Sequence, residues 1–193
     1  MGKFIARLWL KLAGWKVNTT VPKEANHCVM IAAPHTTNWD FIYMRLAFYV
    51  LDIPMKVAIK DFWTKIFFFG WIIRSLGGIG INRSPKKPGE KRRSMVEAMA
   101  DVIKKNDNIA MVIAIEGTRK AVKRWRMGFY HTALEANAPI TFGYLDYEKK
   151  EAGVGGVVHP TGDINKDMKV ILDFYKTIEP KFPDKFILDE RYV

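Results

Sequence analysis

Ile109-Ala110-Met111-Val112-Ile113-Ala114-Ile115 is an unbroken apolar run, closed in front by the turn Asn106-Asp107-Asn108 and behind by Glu116-Gly117. A run this short and this apolar reads as a buried strand. Around it, residues 29–33, 55–59, 79–82 and 140–145 read as further strands. They alternate with helical patterns at 39–51, 62–73, about 90–105, 128–136 and 166–178. Strands and helices taking turns at this spacing predict an α/β fold, a single domain with a mostly parallel central sheet flanked by helices. Residues 154–158, beyond a turn at 149–151, are expected to add an antiparallel edge strand. No linker, repeat or low-complexity segment divides the chain, and 49% hydrophobic content over 193 residues suffices for one core, so residues 1–193 are read as one domain.

The charge narrows the partners. Thirty-one Lys and Arg against 20 Asp and Glu leave a formal charge of +11, which favours phosphates, nucleic acid or an anionic membrane. A single cysteine, Cys28, excludes an internal disulfide and a multi-cysteine zinc site, and four histidines without paired spacing argue against a metal centre.

Two stretches suit a lipid surface. On a helical projection of residues 1–17, Lys3, Arg7 and Lys11 form one stripe, with Phe4, Ile5, Leu8, Trp9, Leu12 and Trp15 opposite. That is a basic amphipathic helix able to lie in a membrane interface, or alternatively a first helix packed on its own domain. The N-terminus lacks the cleavage site of a signal peptide. Residues 62–73 hold six Phe and Trp, but the run is interrupted by Lys65 and is shorter than the ~20 apolar residues a spanning helix needs. It reads as a core helix or one touching lipid from the side, with Phe67 and Trp71 among the residues expected to face acyl chains. The expected attachment is therefore peripheral.

Chemistry is suggested where three strands end. His35 follows the strand at 29–33 and Pro34, and Asp40 stands five positions later, in the first turn of a helix for which Asn38 is the expected N-cap. An aspartate there can accept a proton from one imidazole nitrogen, fixing the tautomer and leaving the other nitrogen as a base. The plainer alternative is a surface histidine followed by a first-turn aspartate. Arg83 follows the strand at 79–82, and Glu116-Gly117-Thr118-Arg119 follows the 109–115 run. Five basic residues then fall within 119–126. In a parallel sheet these strand ends share one edge, so the three groups are expected to line one cleft. Cations there hold a phosphate, and a histidine base makes a nucleophile of a hydroxyl. Together they predict transfer of a group onto an alcohol that also carries phosphate. A nucleic-acid-binding module would fit the charge and the aromatic content, but it leaves His35, Asp40 and the glycine-opened loop unexplained, so no nucleic-acid partner is expected.

At these residues the chain resembles the glycerolipid acyltransferases, the family of glycerol-3-phosphate and 1-acylglycerol-3-phosphate acyltransferases. Their His, four residues, Asp motif matches His35 to Asp40. Their glycine-led short strand ending in arginine is similar to residues 77–83. Their Phe-Pro-Glu-Gly-Thr-Arg looks like Ala114-Ile115-Glu116-Gly117-Thr118-Arg119, with Ile115 in place of the proline, and Arg126-Met127-Gly128 continues it. Ala138-Pro139-Ile140-Thr141-Phe142 is similar to a fourth motif but has Phe142 where an inner proline stands in the family. The resemblance spans about residues 27–145. It implies that His35 is the general base and Asp40 orients it. It also implies that Arg83 and Arg119 hold the acceptor's phosphate, with Lys60 a further candidate. Gly117 and Thr118 let the backbone approach that phosphate, and Glu116 aligns the arginines or a second hydroxyl. The implied acceptor is a glycerol-phosphate-type lipid, 1-acylglycerol-3-phosphate before others, with an amino or non-phosphate acceptor as the rival. The implied donor is acyl-CoA or acyl-carrier protein, with no metal and no bound cofactor. The lipid surface, met through residues 1–17 on the cytoplasmic face of a membrane, completes the expected set of partners.

Overall fold

The 109–115 run forms an inner strand of a sheet that has seven strands among the described residues. The structure is a computed structural model and describes residues 2–85 and 91–193. The strands are β1 (Lys16–Val17), β2 (His27–Ala32), β3 (Met55–Lys60), β4 (Gly78–Ile81), β5 (Ile109–Ala114), β6 (Ile140–Asp146) and β7 (Glu151–Val158). The helices are α1 (Gly2–Leu12), α2 (Trp39–Val50), α3 (Asp61–Lys65), α4 (Phe67–Ser75), α5 (Met95–Lys104), α6 (Gly128–Ala136) and α7 (Ile164–Tyr175). The sheet order is β1-β7-β6-β2-β5-β3-β4. Strands β6, β2, β5, β3 and β4 run parallel, and β7 pairs antiparallel with β6.

The α/β architecture is thus as the sequence predicts, and the apolar runs have a simple cause. Val29 and Ile31 of β2 with Ile109 and Met111 of β5 face α5, α6 and α7, in a core with Ile103, Phe129 and Met168. The alternate residues Cys28, Met30, Ala110 and Val112 face α1 and α2, packing with Leu10, Met44 and Phe48. Helices on both faces leave no solvent side for a polar residue to occupy.

Helix ends follow local chemistry. Ser94 and Glu97 form a reciprocal capping box at the start of α5, and the Asp163 carboxylate caps α7 by accepting from the N–H groups of Asn165 and Lys166. The helix expected to begin near residue 90 begins at Met95, and residues 86–90 of the basic loop before it lie outside the described residues.

The aromatic segment departs from the expected single helix. It breaks at Ile66, whose ψ of 125° is extended, and forms the pair α3 and α4. This pair lies on the same sheet face as α2. Ile79 and Ile81 of β4 point to the α5 side, whereas Gly78 and Gly80 point to the α3–α4 side. A Cβ at Gly80 would lie 2.6 Å from Thr64 Oγ1 and 2.7 Å from Asp61 Oδ1. The alternate glycines of β4 therefore let the helix pair sit directly on the strand backbone.

Residues 1–17 also divide differently from expectation. α1 stops at Leu12, and Lys16–Val17 joins the sheet as β1, parallel to β7. Trp15, read from the sequence as facing a membrane, is only 6% exposed and packs among aromatic side chains inside the domain. The helical projection failed there because the helix had already ended. Trp9 is exposed together with Phe4, Ile5, Leu8 and Leu12, while α1 buries only Ala6 and Leu10. Phe67 (96% exposed), Phe68 and Trp71 are likewise on the surface. Among the described residues no helix is long and apolar enough to cross a membrane.

Candidate active site

β2 and β5 are neighbours in register, with Ala32 opposite Ala114, so the loops that follow them start side by side and bring His35 and Gly117 to one cleft. The loop after β2 passes a cis Ala33–Pro34 bond and closes on itself through Asp40. Asp40 is 1% exposed, and its Oδ2 accepts from Thr36 N–H at 2.8 Å and Thr37 N–H at 2.9 Å, with His35 Nδ1 at 3.1 Å. Its Oδ1 accepts from the Tyr147 hydroxyl at 2.7 Å. A carboxylate that accepts two peptide N–H bonds on the oxygen facing the ring selects the tautomer with the proton on Nδ1. Nε2 is then the free nitrogen of His35, which lines an open cleft of about 370 Å³ with Ala114, Gly117, Thr118 and Arg119.

Two contacts tie the β5 loop to the β2 loop. Glu116 Oε2 accepts the backbone N–H of His35 at 2.9 Å, and the Arg119 guanidinium donates to Asn38 Oδ1. Asn38 is therefore not the side-chain cap expected of it. Gly117 turns the loop at a φ of +67°, and a Cβ there would meet Arg126 Cδ at 2.7 Å. Glycine at this position both accepts the left-handed backbone and lets a second arginine lie across the loop. The basic 119–126 segment is strapped from outside by the chain end. Trp125 N–H donates to Asp189 Oδ2 at 2.8 Å, its indole N–H donates to Ile187 O at 3.0 Å, and Arg191 bridges Asp189 and Trp125 O.

Glu116 stands apart from the role the resemblance implies. It is 4% exposed, is not among the lining residues of the cleft, and its Oε1 has no hydrogen-bond partner among the described residues. Burial pushes its carboxyl up to about 7, against the opposing hydrogen bond from His35 N–H. Between the ordinary value of 4.5 and about 7 the folded protein keeps a proton that the unfolded chain has lost, so stability falls as pH rises through that window. The loss amounts to about 3 kcal/mol. Glu116→Gln keeps an acceptor for His35 N–H but does not ionise. Its urea midpoint is expected to gain on the wild type between pH 5 and pH 8. Equal differences at both pH values would rule this out.

The remaining predicted residues are distributed along the same sheet edge. β3 and β4 lie beyond β5, so Arg83 is three strand spacings, about 14 Å, from the end of β2. Arg83 Nε donates to Arg93 O at 3.0 Å, and Arg83 lines a separate cavity of about 420 Å³ with Lys60, Asn82, Ser84 and Arg92. The structure brings His35, Asp40, Gly117, Thr118 and Arg119 together and places Lys60 and Arg83 next door. The single cleft expected from the shared sheet edge is thus two cavities, because strand order sets distance along that edge. Cys28 is buried, and burial raises its thiol to about 12, which suits a structural residue. Tyr147 was missed by sequence reasoning. It follows β6, and nothing local shows that β6 adjoins β2.

The profile of a protein family described as acyltransferase matches residues 16–141, which include every one of these cleft residues. The chain belongs to the acyltransferase family. Among solved structures, the acyltransferase fold here is similar to the crystal structure of the 1-acyl-sn-glycerophosphate (LPA) acyltransferase PlsC from Thermotoga maritima. The TM-score is 0.52 at 16% identity, over 91% of this chain and 75% of that one. At that identity the likeness is one of fold. No curated protein sequence matches this acyltransferase at a significant level.

Proposed function

We propose that this acyltransferase moves a fatty acyl group from a thioester, acyl-CoA or acyl-carrier protein, to the hydroxyl of a glycerol-phosphate-type lipid, 1-acylglycerol-3-phosphate before others. The observation that carries the reading is the pairing of His35 Nδ1 with buried Asp40, in a residue that lines one cleft with Arg119. Nε2 takes the acceptor's proton as its oxygen attacks the thioester carbonyl and a C–O bond forms. The tetrahedral intermediate collapses by breaking the C–S bond, and the imidazolium returns its proton to the leaving thiolate. Asp40 stabilises the imidazolium between the two steps. Arg119 receives the acceptor's phosphate, supported by the backbone of Gly117 and Thr118. Lys60 and Arg83 add positive charge along the same edge and attract anionic substrates to it. The product would be a lipid, and the exposed apolar side of α1 with Lys3, Arg7 and Lys11 suits peripheral attachment to an anionic bilayer, with Phe67 and Trp71 facing acyl chains.

The test is a thiol-release assay of the purified protein with acyl-CoA and acyl-carrier protein against glycerol-3-phosphate, lysophosphatidate and amine or polyol acceptors. Arg119→Ala is expected to raise KM for phosphate-bearing acceptors about 10- to 100-fold, the loss of a hydrogen bond between charged groups, with a smaller effect on kcat. Equal activity with acceptors that lack phosphate, unaffected by Arg119→Ala, would point instead to a non-phosphate or amino acceptor.

A further inference from the structure

Among the described residues three donors converge on Asp40 Oδ2, but Oδ1 has one, the Tyr147 hydroxyl at 2.7 Å. A carboxylate turns easily about its last bond, so the plane it presents to His35 depends on what holds the second oxygen. Tyr147 is built to hold it. Its backbone N–H donates to Glu179 O at 2.8 Å. Its ring meets Trp15 edge-on at 4.9 Å and Tyr43 edge-on at 6.4 Å, and Trp15 stacks on Tyr43 at 4.7 Å. Tyr43 lies on α2 one turn beyond Asp40, so the aromatic cluster touches the helix that carries the carboxylate as well as the phenol bonded to it. Burial, then the hydrogen bond to Asp40, raise the phenol's pKa, which keeps the hydroxyl a donor at working pH. Trp15 follows α1 by three residues, so the helix that suits a membrane surface ends against this cluster.

We propose that Tyr147 is a positioning residue for acyl transfer: its hydroxyl fixes the Asp40 carboxylate against His35 Nδ1, and Trp15 holds its ring, tethering the end of α1 to the catalytic pair. The inference rests on His35 acting as the base. Without the hydroxyl the carboxylate can turn away from the ring, the imidazolium loses part of its stabilisation, and the acid limb of the pH–rate profile moves to lower pH.

The experiment uses full-length Tyr147→Phe and Trp15→Leu with a short-chain, water-soluble thioester and acceptor and no vesicles. It reads kcat, KM, the pH profile of kcat, thermal stability and the downfield proton resonance of His35 Nδ1–H in the resting protein. Tyr147→Phe is expected to lower kcat about tenfold with KM unchanged, to shift the acid limb downward and to move the Nδ1–H resonance. Trp15→Leu, which leaves the hydroxyl but loosens the ring, is expected to do the same to a smaller extent. A kcat loss that tracks lost thermal stability, with the acid limb and the resonance unmoved, would make Tyr147 merely structural and overturn the proposal. Trp15→Leu indistinguishable from wild type would overturn the tether. The resonance separates this idea from the proposed function. If wild type turns over no acceptor, a shifted Nδ1–H in Tyr147→Phe still supports the coupling, and an unshifted one sinks it.

Discussion

His35→Ala is expected to lower kcat for acyl transfer by about 10²- to 10⁴-fold while leaving the melting temperature near that of the wild type. The two halves of this result have separate causes. Among the described residues of the cleft, the imidazole is the one titratable ring with a buried carboxylate behind it, so its removal is expected to take away the proton acceptor at the step where the hydroxyl attacks. A loss of 10³ corresponds to about 4 kcal/mol of transition-state stabilisation. The fold depends little on the ring. Its side chain is partly exposed and makes a single hydrogen bond among the described residues, while Asp40 keeps its two peptide donors and Tyr147 without it. KM should change little, because Arg119 and the 117–118 backbone remain. The measurement is thioester turnover beside a thermal melt of the same preparation. Turnover within a few-fold of wild type would remove His35 from the mechanism.

Asp40→Ala is expected to act on both quantities. The buried carboxylate satisfies Thr36 N–H, Thr37 N–H and the Tyr147 hydroxyl, so alanine strands two peptide donors in and beside the core and should cost about 2–4 kcal/mol of stability. It also frees the imidazole to rotate and to take the wrong tautomer, and kcat should fall about 10³-fold. Asp40→Asn separates the effects. The oxygen of Asn can take the place of Oδ2 with its three donors, and its amide can donate to the Tyr147 oxygen, since a phenol also accepts. Stability should then be largely kept, while kcat falls about 10- to 100-fold because the imidazolium has lost its counter-charge. Chemical denaturation and kcat of both variants check this, and an Asp40→Asn enzyme with full kcat would limit Asp40 to holding the loop.

The His35–Asp40 pair was legible in the sequence because it is local. Six residues after a buried strand contain the imidazole, the carboxylate and the two peptide groups that bind it, and only the turn between strand and helix had to be inferred. The partnership of His35 with Arg119 was legible for a different reason. Apolar runs at 29–33 and 109–115 announce strands covered on both faces, and parallel strands put their following loops on one edge. Arg83 and Lys60 follow the same rule, yet lie in another cavity, since which strands are adjacent is written in no single segment. Glu116 shows the opposite failure. The family resemblance implied that it aligns the arginines or a second hydroxyl, whereas the tertiary structure buries it and turns it to the backbone of His35. The Trp15 assignment failed because a helical projection has no means of marking where the helix ends.

Apart from β1 and the break at Ile66, the sequence by itself determined the kinds of elements, their order, the two-sided burial of the sheet and the local His35–Asp40 loop, all of which depend on periodicity or on contacts within a few residues. Only the tertiary structure decided the strand order β6-β2-β5-β3-β4, and through it the company His35 keeps: Arg119 and Glu116 from one neighbouring strand, Tyr147 from the other, and Arg83 three strands away. The physical reason is that each strand needs only apolar cover on both faces, a demand any neighbour meets, so the choice among neighbours falls to the packing of the whole core. The distances across the sheet edge, and with them the cavity that each cation lines, follow from that choice.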